Sequence, residues 1–111
     1  MLEINYSIVT SVYNDGIYAK KFCEEITKIM TIYLKTPVNK IHNQLEIIIV
    51  NDGSKDDSLT LLKETKKKCK ALKIVNLSRN FGQHAALACA YKIAKGDFII
   101  RSNIDRQDPL I

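Results

Sequence analysis

The sequence has no tryptophan, two prolines, four glycines and three cysteines in 111 residues. So few glycines leave little scope for a loop whose backbone amides cradle a diphosphate. The two glycine-rich fingerprints that do so are absent: no GxGxxG follows an apolar strand, and no GxxxxGKS or GxxxxGKT occurs anywhere. A dinucleotide-binding Rossmann domain and a P-loop NTPase therefore lose support. Cys23, Cys69 and Cys89 are odd in number and lack CxxC or His-rich spacing, which argues against a disulfide framework and a structural zinc site. Each falls within a helical pattern and reads as a small buried hydrophobe. No apolar run approaches the roughly 20 residues needed to cross a bilayer. The opening Met1 to Tyr6 has neither the basic flank nor the apolar centre of a signal peptide, so the chain reads as cytoplasmic.

What is present is a globular composition, 46% hydrophobic and 26% charged, sufficient for one core. Seventeen Lys and Arg against twelve Asp and Glu give a formal charge of +5. That excess fits an anionic partner: a nucleotide, a nucleic acid or a membrane surface.

Apolar patterning alternates between two periods. Tyr6 to Val12 is a short β-branched run that ends in Tyr13-Asn14-Asp15-Gly16, and Leu45 to Val50 is nearly all apolar before Asn51-Asp52-Gly53-Ser54. A third strand is expected over Leu72 to Leu77 and a fourth over Phe98 to Arg101. Between them, Phe22, Ile26, Ile29, Met30, Tyr33 and Leu34 mark helix one, which Pro37 follows. Leu59, Leu62 and Cys69 mark helix two, and Leu87, Ala90, Tyr91 and Ala94 mark helix three over Gln83 to Lys95. Ser54 with Asp57 has capping-box form, and Gly96 stands where a helix stop is expected. Strict alternation of strand and helix predicts an α/β fold: a Rossmann-like three-layer α/β/α sandwich around a mainly parallel sheet of strand order 3-2-1-4.

In such sheets ligands bind beyond the carboxyl ends of the strands, near the point where the order reverses. The four strands deliver Asn14 and Asp15, Asn51 and Asp52, Arg79 and Asn80, and Asn103, Asp105 and Asp108 to that rim. Each is an ordinary turn former taken singly; four polar strand ends together point to a ligand site. Without glycine-rich loops, a carboxylate-held Mg²⁺ or Mn²⁺ is the expected means of binding a diphosphate.

The segments SIVTSVYND (Ser7 to Asp15), IIIVNDGSKDDS (Ile47 to Ser58), LSRNFGQHAAL (Leu77 to Leu87) and KGDFIIRSNIDRQDP (Lys95 to Pro109) carry a resemblance. In order and spacing they resemble family-2 glycosyltransferases with a GT-A fold, most of all the branch of dolichyl-phosphate mannose synthase and bacterial polyprenyl-phosphate sugar transferases. The resemblance implies transfer of a sugar from a nucleotide-diphosphate donor to an acceptor, polyprenyl phosphate or a cell-envelope glycan, with a divalent metal neutralising the leaving diphosphate. Asp52 matches the acid that hydrogen-bonds the base, Tyr13 and Asp15 line the same nucleotide pocket, and Arg79 lies in the loop that closes it. Asp105 matches the last acid of the DxD metal and diphosphate motif, and Gln107, Asp108 and Pro109 match the QDP that follows it. Ser11 replaces a common proline, Asp15 a common glutamate, and Asn103 the first Asp of DxD. An amide oxygen still ligates a hard cation, with one negative charge fewer.

Members of this family are considerably longer, with the catalytic base and acceptor elements after the DxD strand. The resemblance therefore assigns no catalytic residue within the sequence and implies a base beyond Ile111. Residues 1–111 read as the donor-binding part of a GT-A domain, cut short at its C-terminus and inactive alone. The alternatives are a nucleotide-binding module and a degenerate scaffold. Strand four is then left with an unpaired edge, from which a homo-oligomer is expected. Lys63, Lys66, Lys67, Lys68, Lys70 and Lys73 form a basic cluster that reads as a solvated face or as a site for an anionic membrane, which would put the chain at the inner membrane face. Nucleic acid is disfavoured, since no aromatics interleave with the lysines. His42 and His84 have no partner at catalytic spacing.

Overall fold

Every residue from Leu45 to Asn51 is buried, as a central strand covered on both faces requires. In the computed structural model, which describes residues 3–105, this segment is β2 (Leu45–Asn51). It lies between two parallel neighbours, β1 (Tyr6–Val12) and β3 (Leu72–Asn76). A fourth strand, β4 (Phe98–Arg101), pairs in parallel with the other side of β1, so the order is β3-β2-β1-β4. The predicted α/β architecture and strand order are both observed.

Alternation along the strands divides the core into two layers. Ile8, Val12, Ile47 and Ile49 face α1 (Ala19–Leu34) and α2 (Ser58–Lys68), meeting Phe22, Ile26, Met30 and Leu62. Val9, Ile48 and Val50 face α3 (Gln83–Ile93), meeting Ala86, Leu87 and Ala90. Small residues on α3 let that helix lie close to the sheet. Full burial of each large aliphatic side chain contributes about 1.5 to 3 kcal/mol, so the two layers dominate the stability.

Several local expectations need correction. Helix three ends at Ile93, not Lys95, and Ala94 is already extended (φ −63°, ψ 134°). Gly96 is no left-handed helix stop. Its N–H donates to Ser7 Oγ at 2.9 Å, and a Cβ there would lie 2.7 Å from the Ser7 nitrogen, so glycine is required by close approach to β1. Ser54 and Asp57 form no capping box. The helix begins at Ser58, whose N–H is accepted by Asp56 Oδ1 at 2.9 Å, and Ser54 instead serves the loop before it. Cys23 alone of the three cysteines is fully buried; Cys69 and Cys89 are half-buried. Tyr91, assigned to the packed face of helix three, is 44% exposed.

One charge lies inside the sheet. Glu46 on β2 is 1% exposed and accepts hydrogen bonds from Ser7 Oγ, Lys73 Nζ and the Lys95 N–H. Burial alone would raise its pKa; the three donors and the Lys73 charge outweigh burial and hold it below the usual carboxylate value. This carboxylate ties β1, β3 and the α3–β4 turn to the central strand, and it explains why helix three stops early.

Candidate functional site at the carboxyl rim

The loop after β2 organises the rim. Asn14, in the left-handed region at φ 61°, gives its N–H to Ser54 Oγ and accepts the Lys55 N–H on Oδ1, both at 2.9 Å, so the first two loops are sewn together. Gly53 adopts φ +70° with its α-carbon against the third loop: a Cβ would sit 2.2 Å from the Arg79 carbonyl carbon. Asp52 is 3% exposed, and its two oxygens accept the Phe81 N–H at 2.8 Å and the Gly82 N–H at 3.1 Å. It therefore holds the RNFG loop in place. The Arg79 guanidinium lies 4.6 Å over the Phe81 ring, a cation–π contact at the mouth of that loop.

Where the order reverses, between β1 and β4, a pocket of about 210 Å³ opens. Asp15, Asn103 and Asp105, three of the residues singled out from sequence, line it together. Arg101 and Gln83 complete its polar wall, with Thr10 and Ser11 at its base. Neither Arg101 nor Gln83 stands out in the sequence as a site residue. The usable signal was a cation closing the otherwise apolar Phe98-Ile99-Ile100 run at the reversal point. Among the described residues Arg101 makes no ion pair. Tyr13, Asp52 and Arg79 do not line this pocket: Asp52 lies beneath the neighbouring loop, while Tyr13 and Arg79 are exposed on the rim. Gln107, Asp108 and Pro109 fall outside the described residues, as does Ile111, beyond which the resemblance implies the catalytic base. No residue lining the described pocket is assigned as a base.

A larger cleft of about 870 Å³ runs between α1 and α2, away from the rim acids. The lysine cluster lies beside it but is not one uniform face. Lys73 is paired with Glu46, and Lys66 Nζ donates to the Leu72 carbonyl at 2.7 Å, so two of the six cations serve the fold.

Residues 7–109 match the model of glycosyl transferase family 2. The chain belongs to that family. This family-2 chain is 34% identical over 103 residues to the putative glycosyltransferase CsbB of Bacillus subtilis, an alignment spanning 93% of the chain and 29% of CsbB. It is 36% identical over 106 residues to an undecaprenyl-phosphate 4-deoxy-4-formamido-L-arabinose transferase of Pectobacterium atrosepticum, over 95% of the chain and 30% of the relative. Among solved structures, the mannosyltransferase PcManGT of Pyrobaculum calidifontis, in complex with GDP-Man and Mn²⁺, superposes with TM-score 0.69 at 20% identity, over 93% of the chain and 28% of that structure. The fold is thus that of the GT-A glycosyltransferases, as expected. The family-2 chain spans about three tenths of the length of the relatives it matches.

The donor set fits the divalent cation such enzymes are expected to use. Among the described residues no three His, Cys, Asp or Glu converge into an all-protein cage. Asp15, Asp105 and the Asn103 amide instead present hard oxygens around one pocket, and Mg²⁺ or Mn²⁺ commonly takes one or two carboxylates and completes its shell with phosphate oxygens.

Proposed function

We propose that this chain forms the donor-binding part of an enzyme that transfers a sugar from a nucleoside diphosphate to polyprenyl phosphate, in cell-envelope biosynthesis. The observation that carries this reading is the convergence of Asp15, Arg101, Asn103 and Asp105 at the sheet's reversal point in a family-2 chain. A divalent cation held there would neutralise the departing diphosphate. Asp105 and Asp15 would hold it with Asn103 as a neutral oxygen ligand, and Arg101 adds a fixed positive charge on the same pocket wall, suited to phosphate. Tyr13 and Arg79 border the nucleotide on the rim. Asp52 acts on the base edge through its remaining lone pairs and on the pocket through the loop it fixes.

A polyprenyl-phosphate acceptor is supported by the names of relatives such as the undecaprenyl-phosphate transferase of Pectobacterium atrosepticum. Such an acceptor fits a chain in the cytoplasm, peripheral at the inner membrane face, with Lys63, Lys67, Lys68 and Lys70 towards anionic lipid. No helix among the described residues is long and apolar enough to cross a membrane.

Calorimetric titration with UDP, GDP and dTDP, each with and without Mn²⁺, tests the reading. One nucleotide should bind in preference, more tightly with Mn²⁺, and Asp52→Ala should weaken it roughly 10- to 150-fold, equivalent to about 1.5 to 3 kcal/mol. Absence of binding by all three would favour the degenerate-scaffold alternative.

A further inference from the structure

Two thiols meet where α1 and α2 pack together. Cys23 on α1 lies in the core cluster against which Cys69, which caps the C-terminus of α2, is packed, and the two thiols are close enough to influence each other's proton affinity. Beyond Lys68 the backbone turns extended (φ −131°, ψ 98°), the Cys69 carbonyl accepts the Leu72 N–H at 3.2 Å, and Thr27 of α1 lines the same cleft beside the two thiols. Both cysteines border the 870 Å³ cleft between the helices, Cys69 from a half-buried position and Cys23 at 2% exposure. The arrangement pairs an accessible sulfur with a sheltered one on the floor of an open groove.

We propose that Cys23 and Cys69 form a reversible disulfide, with Cys69 the thiol that first reacts with a hydroperoxide entering the cleft and Cys23 the thiol that resolves it. Donors converging on one sulfur favour its anion. The Cys23 hydrogen bond, followed by those from the backbone and Thr27, outweighs burial and lowers the Cys69 pKa to about 6, whereas the same hydrogen bond and burial push Cys23 up. Cys69 is therefore the thiol that gives up its proton more readily, and Cys23 the one that keeps it. Lys68 and Lys70 flank it on the cleft wall, with Glu24 and Glu64 also on the lining.

The chemistry balances with the peroxide as the two-electron oxidant. The Cys69 thiolate attacks one peroxide oxygen, the O–O bond breaks, and the leaving alkoxide or hydroxide takes up a proton, leaving Cys69 as sulfenic acid. The Cys23 sulfur then attacks Cys69, the S–O bond breaks, and the Cys23 proton leaves with the hydroxide as water. Two thiols are oxidised and one peroxide is reduced. Two exchange steps with a dithiol reverse the reaction. Such a bond is compatible with a reducing compartment because it is transient. It would link α1 to the α2–β3 turn, joining the two helices that follow the first two rim loops.

The protein is treated with a small excess of hydrogen peroxide at pH 7, then unfolded and alkylated. Of the three free thiols, two should become inaccessible to alkylation, the intact mass should fall by about two units, and the Cys23 peptide should be joined to the Cys69 peptide until dithiothreitol is added. In Cys23→Ser the reaction should halt at sulfenic acid on Cys69, trapped by dimedone. Three alkylatable thiols after peroxide, a bond through Cys89, or a bond between two chains would overturn the proposal. The readout is independent of nucleotide binding, so it stands or falls apart from the proposed transferase role.

Discussion

Glu46 is a carboxylate placed in the middle of a sheet, and its cost is offset only by the three donors around it. Truncation by Glu46→Ala leaves Ser7, Lys73 and the Lys95 N–H without their acceptor and should lower stability by about 2 to 3 kcal/mol, read from urea unfolding. Because folding lowers the Glu46 pKa, its stabilisation is complete above the unfolded value of about 4.3 and is lost as pH falls through the lower folded value. The wild-type urea midpoint should therefore drop between pH 5 and pH 3 (roughly the carboxylate range) more steeply than that of Glu46→Gln. At the rim, Asn103→Asp should tighten Mn²⁺-dependent binding of a nucleoside diphosphate by restoring an anionic ligand, and Asp105→Ala should abolish the metal effect. Arg101→Gln should weaken nucleotide binding about tenfold with or without Mn²⁺, since a fixed cation acts on phosphate in both conditions. Equal affinity of Arg101→Gln and wild type would remove Arg101 from the site. Asp15, Asn103 and Asp105 were legible because polar residues at parallel strand ends must collect on one rim. Arg101 and Gln83 were not, since a strand's last residue and a helix's first carry no periodic signal of their own. The Cys23–Cys69 contact joins residues 46 positions apart and could not be read from spacing.

Strands were legible almost to the residue, and the reason is local. β1 and β4 follow the boundaries predicted, while β2 gains Asn51 and β3 loses Leu77, because β-branched runs closed by Asn, Asp or Gly leave few alternative ends. Helix ends were less legible, because tertiary hydrogen bonds decide them. Glu46 draws the Lys95 N–H out of helix three, and Ser54 is claimed by Asn14 and Asn51 before it can cap helix two. The three loops behave as one element through Gly53, whose φ of +70° and contact with Arg79 exclude a side chain. Gly53→Ala should cost more than about 2 kcal/mol, since it combines left-handed strain with a backbone clash. It should also weaken nucleotide binding, as loop three shifts away from Asp52. Normal stability in that variant, measured by urea unfolding, would show that the loops yield independently.

For the whole molecule, topology decides which surfaces are finished. β2 and β1 have neighbours on both sides, whereas β4 pairs only with β1 among the described residues. Its side chains do not conceal that edge: Phe98 is 60% exposed and Ile99 41%. Phe98 stacks on Tyr6 with ring centroids 5.5 Å apart, and Tyr33, itself 61% exposed, meets Tyr6 edge-on, so the edge continues into an aromatic patch. Unpaired backbone groups beside apolar side chains favour pairing with another strand. Residues 1–111 expressed alone should accordingly self-associate through β4, and an isologous contact would close as a dimer. Light scattering across a concentration series should show the mass rising towards twice that of the chain. Ile99→Lys should return it to monomer, because a charge on an exposed edge opposes pairing without entering the core. A monomeric wild type at all concentrations would mean that the edge is already protected. The same preparation should transfer no sugar from labelled nucleotide sugars to polyprenyl phosphate, because the roles proposed for the pocket residues are to bind phosphate and metal, and none of them is assigned as the acceptor's base. Measurable transfer would place the whole reaction within these 111 residues and overturn the reading of them as a donor-binding part.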